Sequence, residues 1–302
     1  MSYLFNSKLT ASSPRAFGAL ACAAAVLVAA GCASRPETPI IKKPSGIAAA
    51  ALAAKLDALL PVEVLLLGEQ HDAAEHQQVE QQVIAELAAR GLLAAVVLEM
   101  ADTGDSTAKL KPSATEQQTR NALKWNERGW PWSAYGPAVM TAVQAGIPVL
   151  GANLPRSELK ASMGDSTLDV LLPGPALKAQ QQGIRIGHCD MLPESQILPM
   201  TRIQIAKDVT MANALSQAAF PGKVVVFLTG SRHADRELGV PQHLPASLTY
   251  KSIHLRALSA SANDENSAAF DSVWATPAVP EVDHCAELKG KFAPGATAAP
   301  KS

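Results

Sequence analysis

Six short apolar runs, separated by stretches with helical spacing, constrain this chain more than any other feature. They are VEVLLLG (62–68), LAAVVLE (93–99), IPVLGA (147–152), KVVVFLTG (223–230), SIHLRAL (252–258) and DSVWAT (271–276). Runs such as VVVFL are apolar at consecutive rather than alternate positions, as strands covered on both faces require. A chain that alternates such strands with helices folds as an α/β protein, with a mainly parallel central sheet flanked by helices.

Two of the runs end alike, in Gly-x-x-His: Gly68 to His71 and Gly230 to His233. After the first, Asp72 and Glu75 form a D-x-x-E cap that opens a helix with Val79, Val83, Ile84 and Leu87 on one side. Arg90-Gly91 closes it, because glycine takes the left-handed conformation at a helix end. His71 therefore sits between a strand's carboxyl end and a helix start, and His233 holds the same place after a central strand. Glu99 closes a third run and Asn153 follows a fourth. Open α/β sheets bind ligands outside the carboxyl ends of their strands, so these residues converge on one rim.

Glu69, His71, Glu99 and His233 are the types that a divalent metal or an acid–base site recruits. Imidazole suits zinc or iron, and carboxylates complete the shell or act as base. A histidine at a strand end also serves as a packed or capping residue, so both readings stand. Residues 103–140 are polar and helical in pattern, then abruptly aromatic (WNERGWPWSAYGP, 125–137), and predict a helical excursion over the carboxyl rim. The aromatic block is either loop packing or the flat wall of a cleft for an aromatic or macrocyclic ligand. A second helical stretch spans 155–220 and carries GHCDMLPE.

Residues 1–31 read as a signal peptide, with Lys8 and Arg15 ahead of a short apolar segment that is too short for a stable membrane anchor. AAGC (29–32) resembles the bacterial lipobox, making Cys32 the lipidated first residue of the mature chain. Ala33 and Ser34, with no aspartate after the cysteine, favour the outer membrane by that same resemblance. Residues 32–50 then form a proline-containing tether, 51–290 the domain, and 291–302 a disordered tail. A net charge of −1 and the lack of any basic run argue against a nucleic-acid partner. Cys189 and Cys285 are expected to pair in an oxidising compartment; two buried thiols, or a zinc site with His188 and His284, are the alternatives. Tyr135 and Tyr250 are the tyrosines left after signal removal, and Tyr250, at a strand start, reads as structural.

Jointly, VLLLGEQHD, VVLEM, the W…GWPW…Y…P block, IPVLGANLPR, GHCDMLPE and VVFLTGSRHADRELGVPQHLP resemble the ChaN-like haem-binding lipoproteins of the Tiki superfamily. The order agrees, over roughly residues 60–285. The resemblance implies a surface lipoprotein of iron uptake that holds haem at a homodimer interface through a tyrosine, two haems facing each other. Tyr135, inside the matched aromatic block, is then the expected iron ligand, with Trp125, Trp130, Trp132 and His188 around the cofactor. The wider superfamily includes metal-dependent peptidases and erythromycin-esterase-like hydrolases, whose paired Gly-x-x-His motifs and glutamate match Gly68–His71, Gly230–His233 and Glu99. The alternative it implies is a metal-dependent hydrolase, with a divalent metal on His71 and His233 and Glu69 or Glu99 as base. Expected partners are haem, a second copy of the chain, and the membrane through the lipid anchor.

Overall fold

Each of the six apolar runs forms a strand in the computed structural model, which describes residues 46–258, 267–280, 282–286 and 289. The signal peptide, Cys32, most of the tether and the 291–302 tail lie outside the described residues. In chain order the elements are α1 (Ala49–Asp57), β1 (Val64–Glu69), α2 (Ala74–Ala89), β2 (Leu93–Asp102), α3 (Glu116–Ala122), α4 (Trp132–Gln144) and β3 (Val149–Asn153). There follow α5 (Leu159–Gly164), α6 (Gly174–Gly187), α7 (Glu194–Ala218), β4 (Val224–Gly230), α8 (Ser231–Ala234), β5 (Tyr250–Ala257) and β6 (Ser272–Thr276). The last two residues of the expected tether are already helical. Among the described residues, no helix is long and apolar enough to cross a membrane.

The sheet is parallel throughout, in the order β3-β2-β4-β1-β5-β6. Its central strands are apolar at every step because both faces are covered. Leu65 and Leu67 of β1 enter a large core with α1, α2 and α4, whereas Val64 and Leu66 meet α7 on the other face. In β4, Val226 and Leu228 go to the first side and Val225 and Phe227 to the second. Each such side chain, fully removed from water, contributes about 1.5–3 kcal/mol, which fixes the register of the strands that carry the site. A smaller cluster, with Leu168, Leu172 and Ile205, holds the helical arm of α5 and α6 against α7.

Two local expectations change. The Asp72 cap does not form: α2 opens at Ala73 with no side-chain cap. Asp72 Oδ1 instead accepts from Gln70 Nε2 at 2.8 Å, and Glu75 Oε2 accepts from the Gly46 amide at 3.0 Å. Gln70, two residues before Asp72, and the distant Gly46 amide take the two carboxylates instead. Gly91 does take the left-handed conformation, at φ +66°. The excursion over 103–140 resolves into α3, a loop carrying Trp125 and Trp130, and α4. Of these the loop reaches the rim, while α4 packs on α2 inside the large core.

Chain direction places the site. The connection leaving β2 runs outward to β3, and that leaving β4 runs to β5 at the opposite side. Crevices open where connections diverge in this way, and Glu99 stands in this one.

Candidate functional site

The two Gly-x-x-His turns are neighbours, because β1 and β4 pair with Glu69 opposite Gly230 and Gly68 opposite Thr229. Each glycine makes room for the other turn. A Cβ on Gly68 would lie 2.8 Å from the Ala234 Cβ and 2.9 Å from the Ser231 Cα. A Cβ on Gly230 would lie 2.9 Å from His71 Nε2. The repeated glycine is thus a reciprocal packing requirement, met only when both turns are in place.

Around them opens a cleft of about 550 Å³, lined by Glu69, His71, Glu99, Arg232, His233, His254 and His284 among others. Four of the chain's seven histidines line it.

His71 is the accessible group. Its Nδ1–H donates to Glu69 Oε1 at 2.7 Å, and its side chain is 40 % exposed. No described residue hydrogen-bonds its Nε2, which lies over Gly230. Burial works against charge on this imidazole, but the Glu69 hydrogen bond and the charges of Glu99 and Glu69 prevail and raise its pKa. Trp130 meets the ring edge-on, with centroids 4.8 Å apart. Beyond Trp130 lies a second hollow lined by Asp102, Arg156 and Lys207, so this indole is the partition between the two.

Glu69 is buried and its oxygens are shared out. Oε1 also accepts from the Tyr135 hydroxyl at 2.7 Å, and Oε2 accepts from the Gln77 amide. Tyr135 lies on α4, 1 % exposed, its ring against Trp125 and Trp130. Burial first, then the charge of Glu69, pushes its phenol well above the usual range. Beneath Glu69 lies Glu80 of α2, fully buried, with neither carboxyl oxygen hydrogen-bonded. Burial and the nearby Glu69 raise its pKa far enough to keep it neutral.

His233 is placed very differently. It is buried, with Nδ1–H donating to Asp208 Oδ1 at 2.5 Å and Nε2 3.4 Å from Glu99 Oε1. Glu99 Oε2 accepts from the Thr229 hydroxyl and the Gly230 amide, both at 2.8 Å. Burial opposes the charge on His233, yet Glu99 and then Asp208 raise its pKa to about 10. Glu99, opposed by burial in turn, is held well below the carboxylate range chiefly by His233. Burial drives Asp208 upward in spite of His233. His233 is thus held between two carboxyl groups that favour its charged form. Among the described residues, no group of three or more His, Cys, Asp or Glu is placed to hold a metal ion.

The other expected residues separate. Trp132 is buried in the core and donates its indole N–H to Glu116, and Trp125 packs between Trp132 and Tyr135. Trp130 is the tryptophan that touches a cleft residue. His188 ends α6, its Nδ1 on the Ile184 carbonyl at 2.8 Å, outside the cleft lining. Cys189 and Cys285 are joined by a disulfide. Tyr250 packs against the α7-side core.

Asp208, Glu80 and His254 carry no sequence expectation, and His284 enters only through the alternative zinc site with His188, which the Cys189–Cys285 disulfide replaces. The signal for the first two was present. Thr201, Ile205, Asp208, Ala212 and Leu215 share one helical stripe, as do His76, Glu80, Val83 and Leu87, and a lone acid in an apolar stripe marks a buried charge.

Residues 56–244 match the model of a protein family described as haem-binding uptake, Tiki superfamily, ChaN. Among solved structures, "Cofacial heme binding to ChaN of Campylobacter jejuni" is similar at 25 % identity and a TM-score of 0.59, covering 70 % of this chain and 86 % of that one. The type III effector HopBA1 is similar at 15 % identity and TM-score 0.44, covering 72 % and 88 %. The erythromycin esterase EreC in its open conformation follows at 14 % and 0.43, covering 70 % and 74 %. No curated protein matches the chain.

Proposed function

The chain belongs to the haem-binding uptake family ChaN of the Tiki superfamily, and from that premise we propose that it captures haem in the cleft beside His71. One observation carries this: an imidazole whose Nδ1–H is fixed on a buried carboxylate while Nε2 stands over an open cleft. That is how histidines are oriented toward metals, the carboxylate setting the ring and raising its basicity. An imidazole so held would meet the iron of a porphyrin bound there, and that iron would supply a Lewis-acidic centre.

The chain's own groups divide the work. Glu69 orients His71 and takes its Nδ1 proton in hydrogen bonding. Tyr135 steadies Glu69 from beneath, its hydroxyl committed to that carboxylate, so His71 rather than Tyr135 is the group presented to the ligand. Trp130 offers a flat apolar wall. Arg232, fixed by Gln180 Oε1 at 2.9 Å, is the cleft cation that meets a porphyrin carboxylate.

The cleft is open, and a second copy would cover the ligand face that one copy leaves wet; the cofacial binding named for the Campylobacter protein supports a homodimer. Lipidation at Cys32 and an outer-membrane location complete the proposal, supported by the AAGC motif. Mass spectrometry of the mature chain tests the lipid directly.

The hydrolase reading needs a metal on both His71 and His233. Among the described residues no group of three or more His, Cys, Asp or Glu is placed to hold one, so the observations favour the haem reading.

Haemin titration of the full chain, alongside His71→Ala and Tyr135→Phe, is the test. Saturable binding with a Soret band that His71→Ala shifts or abolishes, and Tyr135→Phe leaves in place, is expected. Phenolate charge-transfer bands lost in Tyr135→Phe would return the ligand role to Tyr135. Absence of saturable binding would overturn the proposal.

A further inference from the structure

On the far side of Trp130 the second hollow, of about 580 Å³, opens at the carboxyl ends of β2 and β3. Part of its lining is apolar: Met100, Leu123 and Leu154 face it, and each is buried. It also carries three cations from three parts of the chain, Lys124 beyond α3, Arg156 after β3 and Lys207 in α7. Space of this size, with an apolar lining and a few convergent charges, is what a small organic ligand requires.

The charges do not cancel. Lys124 is paired with Asp105 at 2.7 Å. Asp102, the other lining acid, lies in the field of Lys207 without forming an ion pair. Among the described residues, none forms an ion pair with Arg156 or Lys207. One carboxylate thus stands against two free cations.

The backbone is bent to make this hollow. Four steps along β2, from Leu98 to Asp102, face two along β3, from Gly151 to Asn153, so β2 bulges where its chain enters the lining. Gly151 gives the bulge its room, since a Cβ there would run into the Asp102 carbonyl oxygen. Lys124 holds φ at +44°, a conformation that non-glycine residues enter only against a steric cost. Bulges and strained residues of this kind gather beside functional sites.

We propose that this hollow is a second binding site, which takes a small organic acid with an apolar body. The carboxylate meets Arg156 and Lys207, the guanidinium supplying the planar fork that such a group matches. The body lies on Met100, Leu123 and Leu154. The site is separate from the cleft beside His71 and does not depend on the haem reading.

Calorimetric titration of the full chain with 2-naphthoate, its neutral amide 2-naphthamide, and acetate tests the proposal. Saturable binding of 2-naphthoate is expected, with the amide and acetate each at least tenfold weaker. Arg156→Gln, at an exposed position, and Lys207→Gln are each expected to weaken 2-naphthoate about tenfold, the scale of one charge-assisted hydrogen bond, and to leave haemin titration unchanged. Haemin added first should leave 2-naphthoate binding in place. Equal binding of the amide would overturn the role of the cations, and equal binding of acetate that of the apolar lining. Wild-type affinity in both variants, or no saturable binding of 2-naphthoate, would overturn the site. Displacement by haemin would merge the hollow with the haem site and overturn its separateness.

Discussion

The two Gly-x-x-His turns share a motif, a strand position and an edge of the sheet, but they hold their histidines in opposite conditions. His71 faces the cleft with one ring nitrogen uncommitted. His233 is buried, with Asp208 and Glu99 at its two nitrogens. The difference arises outside the motif. α7 brings Asp208 under the second turn, whereas the first turn is met by Tyr135 and Gln77, which bond the carboxylate holding His71 Nδ1 and leave Nε2 without a hydrogen bond from any described residue. A repeated motif thus leaves one histidine facing the cleft and commits the other to the scaffold.

The largest expected effect tests that division. His233→Ala leaves Glu99 and Asp208 buried beside each other without their cation, which costs about 3–5 kcal/mol. His71→Ala breaks a partly exposed pair and costs about 1 kcal/mol or less, while removing ligand binding. Urea unfolding of both variants measures it, and equal losses would break the comparison.

A pH series sharpens it. The folded pKa of His233 is raised to about 10 from an ordinary value near 6.5. Stability from this group is fully present below the ordinary value and is lost as pH climbs toward 10. Glu99, held low, contributes stability present above its ordinary value and lost on acidification. Wild-type unfolding free energy should therefore fall from pH 6.5 to 10, and His233→Ala should lose that slope. A wild-type profile flat over this range would place the proton elsewhere.

Beneath the first turn the sign reverses. Glu80 is neutral in the folded chain, and ionisation favours the unfolded one above the ordinary carboxylate range. Glu80→Gln should remove that ionisation penalty and stabilise the protein at neutral pH but not at acid pH. A loss of stability in that variant would show that the carboxyl is needed as an acid.

The strands were legible because strands covered on both faces leave uninterrupted apolar runs, and the rim residues because they end those runs. Glu99 and His233 could be located from the sequence; their protonation depends on Asp208, 25 residues from His233 and part of another element. Asp72 read as a cap because local pattern cannot show that Gln70 and Gly46 offer the two acids other partners. The aromatic block hid a helix. The block read as loop packing or a cleft wall, yet α4 runs through Gly136 and Pro137, and Gly136 leaves room for the Trp132 indole, where a Cβ would come within 2.5 Å of the ring. Tertiary packing decided that segment over propensity.

The strand order also governs when this protein can fold. β1 and β2 follow one another in the chain, yet β4 lies between them. Until residue 230 has emerged, β2 has only β3 beside it and β1 has no partner strand, so both carry a bare apolar edge. Synthesis therefore outruns assembly through most of the chain, and closure of the sheet waits on a late insertion between two early strands. A truncated or nicked chain lacking that strand would present the first turn with nothing behind it, so the cleft becomes a property of complete copies alone.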